Sequence, residues 1–406
     1  MARINFIIPA IQARRFAGGV WCIFEYAHGL NARGHEVTII PTLPSAAPLW
    51  FPRPFGTFLS SKLADRVGNA ARSAGKAAFA AVTTRRVPKN RLRELGANIA
   101  LLYPSIFSHP IRMGVGEDNV LRTAPPADIQ IATHFETARP VALLPGRKFY
   151  FGQHFESYFC NEFDNPSFAE KLVLQSYRSG LGMIANSSWL RGKLKEAVGL
   201  NDIALCPNAI DHAIFYGEPK ESRNSQEVVL ISYGGRNAAW KGFREMAEAV
   251  AIVRRSLPAV KIEWRVYGDA LLPPKNEIAD YTPLGFLLPP ILAQEYRKAD
   301  ILLSASWYES FPLFPIEAMA CGLPVVTTQL GTEDYATPGV TAEVVEPQSP
   351  ESIACGVLSL IHDPSRCAKI ARAGNAKSKE FTWERSVQVF ESILLSAPLS
   401  PSASTK

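Results

Sequence analysis

Short runs of β-branched residues alternate with stretches of helical apolar spacing along most of this sequence. In the first half the pattern predicts one clear helix, Val20–Ala32, and six strands: Ile4–Ile8, Val37–Ile40, Ile129–Ala132, Lys148–Gly152, Gly182–Asn186 and Ile203–Cys206. Helices that separate successive strands are typical of βαβ units, which build parallel sheets. The first half is therefore predicted to be α/β.

A polar stretch at residues 211–227 interrupts the alternation and has the composition of a linker. After it the pattern predicts two helices, Gly242–Arg255 and Ile291–Lys298, and four strands, Val228–Tyr233, Lys261–Tyr267, Ile301–Ser304 and Val325–Thr328. We therefore predict two doubly wound α/β domains, residues 1–217 and 218–396, and a disordered tail at 397–406. Ligands of open parallel sheets bind outside the carboxyl ends of the strands, so a site is expected there, in a cleft between the domains.

Composition excludes several classes of protein and leaves the prediction of two α/β domains unchanged. The chain has 406 residues, 47% of them apolar and 20% charged, which is ordinary for a globular protein and excludes collagen-like, disordered and disulfide-scaffold classes. The net charge of +6 is too dilute over this length to indicate nucleic-acid binding. No apolar run reaches the ~18 residues of a membrane span, and the six cysteines form no CxxC pair, so we predict a cytoplasmic protein with reduced thiols.

One segment departs from the rest in its charge. An insertion at about residues 50–95 carries ten Lys and Arg against one acid, Asp65, within residues 53–93, with apolar residues interleaved. Such a segment can lie on an anionic membrane surface, which predicts peripheral contact with the inner face of the cell membrane. The alternatives are a solvated insertion packed on its domain and, less in keeping with the whole chain, a nucleic-acid-binding arm with a steep salt dependence.

Two carboxylates carry the strongest chemical signal in the second half. Glu309 follows the strand Ile301–Ser304 in a loop. Seven residues separate it from Glu317, which lies in the first turn of a helix predicted to start at Pro315 and to end at Gly322. A helix N-terminus suits a diphosphate, and carboxylates on either side can accept hydrogen bonds from sugar hydroxyls. Taken alone, the two acids would be interpreted as a surface loop acid and a residue that complements its own helix dipole.

The surrounding sequence favours the chemical interpretation. The run ADILLSAS before the two acids and EAMACGLPVV after them resemble the glycosyltransferases of family four, whose E-x7-E motif matches Glu309 and Glu317. The resemblance implies a GT-B fold, which has two Rossmann-like domains facing each other across a cleft. It also implies that Glu309 contacts the transferred sugar and that Glu317 contacts the ribose hydroxyls of the nucleotide.

A pair of basic residues agrees with that resemblance. In the segment after strand Val228–Tyr233, Gly235, Arg236 and Lys241 resemble the family's R-x4-K loop, which neutralises the donor diphosphate. Cations in a dry cleft stabilise the charge that the leaving nucleoside diphosphate accumulates. Since GT-B enzymes usually work without a metal, we predict no metal site and no cofactor beyond the donor itself. Without this context the pair would be interpreted as a solvated face.

The donor loop departs from the family pattern at one position. Where members commonly read E-G-F-G-L, this chain has Pro312, which lacks an N–H group, so the amides of Leu313 and Phe314 would serve instead. Phe311, Phe314 and the prolines predict an apolar rim that would favour a deoxy sugar.

Several further positions are assigned by resemblance. Gly268 and Phe286 stand where the family holds the nucleobase, and Gly18 and Gly19 stand in its first βα turn, where glycines let backbone approach a phosphate or sugar. The alternative for the glycine pair is a plain flexible loop.

The segment Gln153-His154-Phe155-Glu156 resembles bacterial rhamnosyltransferases that assemble cell-surface glycans. A histidine or glutamate of this segment or of ATHFETA, with His154 first and His134 second, would orient the acceptor hydroxyl or take its proton, and the alternative is a histidine that only closes its loop. The prediction is a retaining hexosyltransferase, with L-rhamnose from dTDP-L-rhamnose as the best candidate, acting on a saccharide or lipid-linked acceptor in bacterial surface polysaccharide synthesis. A GDP-mannose or UDP-sugar donor, an isomerase of the same fold acting on UDP-N-acetylhexosamine, and a non-catalytic sugar-binding protein remain as alternatives.

Overall fold

The computed structural model describes residues 1–12, 17–59, 109–220, 226–234, 238–268 and 280–396, together with six helical positions, Ala74, Ala77, Ala78, Leu92, Leu95 and Ile99. The predicted tail and most of the basic insertion lie outside these residues, so the predictions about them stay predictions. Within the described residues, no helix is both long and apolar enough to cross a membrane.

The chain forms two compact units, one of residues 1–184, 194–204 and 389–406, and one of residues 185–193 and 205–388. The first sheet has seven strands in the order β3-β2-β1-β4-β5-β6-β7, and the pairs from β3 to β5 are parallel. Its strands are β1 (Arg3–Ile8), β2 (Glu36–Pro41), β3 (Thr57–Phe58), β4 (Ile129–Ala132), β5 (Arg147–Gly152), β6 (Gly182–Ala185) and β7 (Ile203–Leu205). The helices described along this part of the chain are α1 (Gly18–Ala32), α2 (His109–Thr123), α3 (Phe135–Leu143), α4 (Pro166–Tyr177) and α5 (Ser188–Val198).

The sheet of the second unit has six strands, all parallel, in the order β10-β9-β8-β11-β12-β13. Its strands are β8 (Glu227–Tyr233), β9 (Lys261–Tyr267), β10 (Thr282–Gly285), β11 (Ile301–Ser304), β12 (Val325–Thr328) and β13 (Glu343–Val345). The helices along this part of the chain are α6 (Phe243–Ser256), α7 (Pro289–Lys298), α8 (Leu313–Ala320), α9 (Pro350–His362), α10 (Pro364–Ser378) and α11 (Trp383–Leu395), of which α11 passes into the first unit at residue 389.

Helices cover both faces of the second sheet, and β8 shows how. Val228 and Leu230 belong to the apolar core shared with α6 and α9, while Val229 and Ile231 belong to the core shared with α7 and α8. Side chains alternate across a strand, so a strand that is apolar at successive positions needs a partner on each face. The continuous apolar runs seen in the sequence are therefore the strands of a doubly wound sheet.

The last helix completes the core of the first unit. The ring of Phe390 lies 6.1 Å from that of Phe6 and 4.7 Å from those of Tyr26 and Phe151, all between ring centroids. The grouping of residues 389–406 with the first unit differs from the sequence division at 217/218, which left residues 389–396 in the second domain.

Most predicted elements are found within one or two residues of their expected ends, and β9, β11 and β12 agree to the residue. Two helix starts are corrected. Helix α1 already begins at Gly18, so the glycine pair forms its first turn rather than a loop before it, and α8 begins at Leu313, so Pro315 is its third residue. The α8 error arises because the first N–H groups of a helix have no intrahelical partner, so proline is tolerated throughout the first turn. The α1 error arises because glycine is disfavoured in helices, so the pattern placed the glycine pair before the helix.

Candidate active site

A pocket opens at the carboxyl edge of the second sheet, where the resemblance places the donor. Tyr233 ends β8, Tyr267 ends β9 and Ser304 ends β11, and all three line it. Glu309, in the loop after β11, and Phe314, at the start of α8, complete its wall. Carboxyl ends of neighbouring parallel strands meet at one edge, which brings these distant positions together.

An ion pair lies in this pocket. The Lys241 ammonium donates a hydrogen bond to Oε1 of Glu309, and the Ser306 hydroxyl donates to the same oxygen at 3.3 Å. The two charged side chains are only 16% and 13% exposed, so solvent screens their attraction less than at a surface. The structure thus joins two of the predicted catalytic residues, and adds Ser306, which the sequence analysis missed.

Aromatic rings fix the ion pair in place. The Lys241 ammonium lies 4.3 Å from the centre of the Trp240 ring, within the range of a cation–π contact. Trp240 in turn stacks on Tyr308, with ring centroids 5.5 Å apart and planes 10° apart, and its carbonyl accepts a hydrogen bond from the main-chain N–H of Trp307 at 2.7 Å. The sequence signal for Trp240 was its place directly before the lysine.

Two glycines let the backbone close around the ion pair. Gly242 ends the short 3-10 helix Ala239–Lys241 at a φ of +69°, and a Cβ there would stand 1.9 Å from the carbonyl oxygen of Ala305. Gly331 has a φ of +91°, and its Cβ would stand 2.4 Å from the carbonyl oxygen of Glu309. Only glycine adopts these conformations at such a close approach without strain.

Glu317 lies in the second turn of α8, not in the first turn as predicted, because the helix begins two residues earlier. Its side chain is buried, and its Oε2 has no hydrogen-bond partner among the residues that the structure describes. Burial raises the pKa of Glu317 to about 8. Glu317 is adjacent to the pocket rather than in its lining: burial raises the pKa of Tyr267, a lining residue, and the charge of Glu317 raises it further.

The start of α8 faces the same pocket. Pro312 is the residue that caps the helix, its carbonyl accepts a hydrogen bond from the Tyr335 hydroxyl at 2.8 Å, and Leu313 and Phe314 are the first two helical residues. The Phe314 ring lies 4.7 Å from that of Tyr233, between ring centroids. The pocket therefore combines a cation, a carboxylate, a helix N-terminus and an apolar wall.

Two other residues predicted to bind the donor, Gly268 and Phe286, directly follow β9 and β10. Gly268 follows β9 with a φ of 145°, and its N–H donates to the Gly285 carbonyl at 2.9 Å; Phe286, next in the chain, is 45% exposed. Gly235 and Arg236 lie outside the described residues. No group of three or more His, Cys, Asp or Glu residues that could hold a metal ion occurs among the residues searched, which are those described.

In the first unit, the predicted segments around Gly19 and His154 lie close to each other. Gly19 lies against Gln153, since a Cβ on the glycine would be 3.5 Å from the Cβ of Gln153. His154 follows Gln153, with its Nδ1 3.4 Å from the Phe155 carbonyl oxygen and its ring 4.4 Å from that of Phe159, between centroids.

The His-Phe-Glu triplet at 154–156 recurs at 134–136, and the structure connects the two copies. The buried Glu156 carboxylate accepts a hydrogen bond from the Phe135 N–H at 3.1 Å and one from the Tyr150 hydroxyl, and lies 3.7 Å from Nε2 of His134. Burial raises the pKa of Glu156 to about 8, against the lowering effect of the Tyr150 hydrogen bond. Glu156 therefore fixes His134, which caps α3, rather than its sequence neighbour His154.

A family model and several curated proteins match parts of this chain. Residues 227–363 match the family model for glycosyl transferases group 1. The D-inositol 3-phosphate glycosyltransferase of Segniliparus rotundus is 31% identical over 234 residues, which cover 53% of this chain and 51% of that protein. The chain thus spans about half the length of the curated relatives it matches.

Solved structures match nearly the whole chain at low sequence identity. Sucrose-phosphate synthase from Thermosynechococcus elongatus aligns with a TM-score of 0.67 at 15% identity, covering 97% of this chain and 98% of that one. The HepE protein of Anabaena, solved in complex with UDP and glucose, aligns with a TM-score of 0.67 at 16% identity, covering 98% of this chain and all of that one. These likenesses confirm the predicted α/β GT-B fold.

Proposed function

We propose that this chain is a nucleotide-sugar-dependent hexosyltransferase. The observation that carries the proposal is the Lys241–Glu309 ion pair at the carboxyl edge of a parallel sheet, beside the N-terminus of α8. Lys241 and the helix N-terminus would stabilise the diphosphate as it leaves, and Glu309 would accept hydrogen bonds from hydroxyls of the transferred sugar. The match of residues 227–363 to glycosyl transferases group 1 supports the same assignment.

In this proposal Glu317 binds the ribose of the nucleoside. An unpartnered carboxyl oxygen in a buried position is costly, and a ribose hydroxyl would satisfy it. Arg236, where the R-x4-K pattern places a second cation, would share the diphosphate with Lys241. With these cations in place we expect turnover to persist when EDTA removes divalent metal ions.

For the donor sugar we retain L-rhamnose from dTDP-L-rhamnose as the first candidate, transferred with retention to a saccharide or lipid-linked saccharide of a bacterial surface glycan. Pro312 and Phe314 line the pocket and offer an apolar wall to a deoxy position. UDP-sugars and GDP-mannose are the competing donors; HepE was solved with UDP-glucose as well as with UDP and glucose. The name of the matched relatives adds inositol 3-phosphate as an acceptor to test.

A thermal-shift panel tests the donor site directly. UDP, GDP, dTDP and CMP are each added near 1 mM, and the one that belongs to the donor is expected to raise the midpoint by several degrees. A ligand at about 100 times its Kd stabilises the native state by ~2.7 kcal/mol. A selective dTDP shift supports the rhamnosyl donor, and a GDP or UDP shift moves the assignment to those sugars. A folded protein that none of them shifts contradicts the proposal.

Turnover of the selected donor then tests the two charged residues. Glu309→Gln and Lys241→Met are each expected to lower kcat by roughly 100-fold or more, as loss of one charge-stabilising group does. Lys261→Met is the matched control, because Lys261 is 71% exposed and pairs with Glu227 at the start of the strands. Unchanged turnover in Glu309→Gln would show that the role given to Glu309 is wrong. Absence of turnover in the folded wild type with every donor would favour the non-catalytic sugar-binding protein, and an isomerised sugar released without acceptor would indicate the isomerase.

A further inference from the structure

The segment that follows β6 contacts the loop that carries Glu309. Residues 185–193 belong to the second unit, as that loop does. The Ser310 hydroxyl, next to Glu309 in the chain, donates a hydrogen bond to Oδ1 of Asn186 at 2.5 Å. Asn186 and Ser310 are each only 1% exposed, so solvent does not compete for this bond. A hydrogen bond between residues 124 positions apart therefore ends beside the carboxylate that is proposed to bind the sugar.

Ser187 contributes a second hydrogen bond to the same hydroxyl group. It caps α5, because its hydroxyl oxygen accepts a hydrogen bond from the Leu190 N–H at 3.0 Å. Oγ of Ser187 also lies 3.4 Å from Oγ of Ser310. Since Ser310 uses its own hydrogen for Asn186, Ser187 is the donor of this bond. The Ser310 hydroxyl thus donates one hydrogen bond and accepts another, and the two together fix its position.

The segment after β12 holds both sides of this contact. Oδ2 of Asp334 accepts a hydrogen bond from the Ser188 N–H at 2.9 Å, which fixes the start of α5. The Leu330 carbonyl accepts one from the Glu309 N–H at 3.1 Å, which fixes the loop after β11. Three segments that are distant in the sequence therefore meet beside Glu309, all within the second unit.

We infer that Asn186 is a positioning residue for Glu309 and acts through Ser310. A planar peptide joins adjacent residues, so a hydroxyl held on two sides restricts the backbone at Glu309. The Glu309 carboxylate has to reach both Lys241 and the transferred sugar, and small displacements of such groups slow a reaction strongly. The inference rests on the proposed glycosyl transfer and names residues outside the donor pocket on which its rate depends.

Kinetics of three variants test the inference. Ser310→Ala and Asn186→Ala are each expected to lower kcat by roughly 10-fold or more, with little change in the donor KM. The double variant should be no slower than the slower single variant, because all three lose the same interaction. Ser378→Ala is the matched control: Ser378 is fully buried in the same unit, and its hydroxyl donates to the Asn375 carbonyl at 2.7 Å within α10. That control is expected to keep the wild-type kcat, whatever it does to the unfolding midpoint.

Hydrogen exchange followed by mass spectrometry gives a measurement that does not need turnover. The main-chain N–H groups of Trp307 and Glu309 are hydrogen-bonded in this loop. We expect a peptide spanning residues 305–311 to exchange faster in both single variants than in the wild type or the control, because loosening the loop exposes these groups.

The two measurements separate this inference from the proposed function. Wild-type kcat in both single variants, losses that multiply in the double variant, or unchanged exchange of the loop would each overturn the role of Asn186. If the folded wild type turns over none of the donors, the proposed function fails and the exchange measurement decides alone. Faster exchange in the two single variants and not in the control would then keep Asn186 as the residue that holds this loop, and equal exchange would remove it.

Discussion

At the scale of single residues, two buried carboxyl groups set how the stability of this protein depends on pH. Burial raises the pKa of Glu317 and of Glu156 to about 8, from an ordinary value of 4.5. In the unfolded chain such a group ionises near its ordinary pKa, whereas in the folded protein it keeps its proton to a higher pH. The stability it contributes is therefore complete below pH 4.5 and is lost as the pH rises through about 8.

Replacing Glu317 by glutamine should flatten that dependence. Between pH 5 and pH 8 the wild type is expected to lose more unfolding free energy than Glu317→Gln, with a difference in slope of up to roughly 1.4 kcal/mol per pH unit. Urea denaturation at one-unit steps of pH measures it. The exposed Glu346→Gln serves as control and should run parallel to the wild type. Parallel curves for Glu317→Gln and the wild type would show that the carboxyl is not held protonated.

Sequence spacing singled out Glu309, Glu317 and Lys241, because a motif fixes residue type and order. It did not show that Glu317 is buried with an unpartnered oxygen, since burial depends on residues distant in the chain. The same limit applies to Glu156, whose closest histidine in the structure is His134 of the other triplet.

At the scale of elements, the conformation of Gly242 determines where Lys241 points. The residue ends the 3-10 helix that carries the lysine and begins α6, with a left-handed φ and a carbonyl oxygen where a side chain would be. Two helical segments therefore meet at a point that tolerates no Cβ.

Gly242→Ala is expected to destabilise the protein by about 1–3 kcal/mol, the cost of a strained left-handed residue, and to lower turnover by displacing Lys241. Gly192→Ala is the matched control, because Gly192 lies inside α5 with open space around its Cα. That change should stabilise by up to about 1 kcal/mol through better helix propensity. Chemical denaturation of both variants measures the contrast, and equal stability for the two would contradict the steric account.

Elements were predictable where burial is complete on both faces. Strand β12 is buried along its whole length and β11 at all but its last residue, whereas β9 was marked by its alternation of buried and partly exposed positions. Helix α2 was not predicted, because its sequence, HPIRMGVGEDNVLRT, contains a proline and two glycines, which are disfavoured in helices. The start of α8 was misplaced by two residues because proline suits several positions of a first turn.

At the scale of the whole molecule, the first unit depends on a helix that the chain forms last among the described elements. Phe390 is fully buried against Phe6, Tyr26 and Phe151, which come from β1, α1 and β5. The periodicity of α11 predicts an amphipathic helix but does not show which of the two cores the helix packs into. For this reason the boundaries of the two units were harder to predict from the sequence than the helices and strands.

Phe390→Ala should destabilise the first unit by about 3–5 kcal/mol, as large-to-small changes of buried aromatic residues do. Phe168→Ala, at a 42% exposed position of the same unit, is the control and should cost far less. Hydrogen exchange followed by mass spectrometry is expected to show faster exchange in β1 and β5, with β8 and β11 unchanged. Uniform acceleration across both sheets would mean that the two units unfold together.

The same helix has a consequence for synthesis on the ribosome. A nascent chain emerges from its N-terminus, and the first unit needs residues 389–396, which are translated only after every residue of the second unit. The first-made strands must therefore wait, with an incomplete apolar face, until the whole of the second unit has been translated. Premature termination just before Phe390 would thus damage the unit at the opposite end of the sequence and leave the donor pocket's own sheet intact.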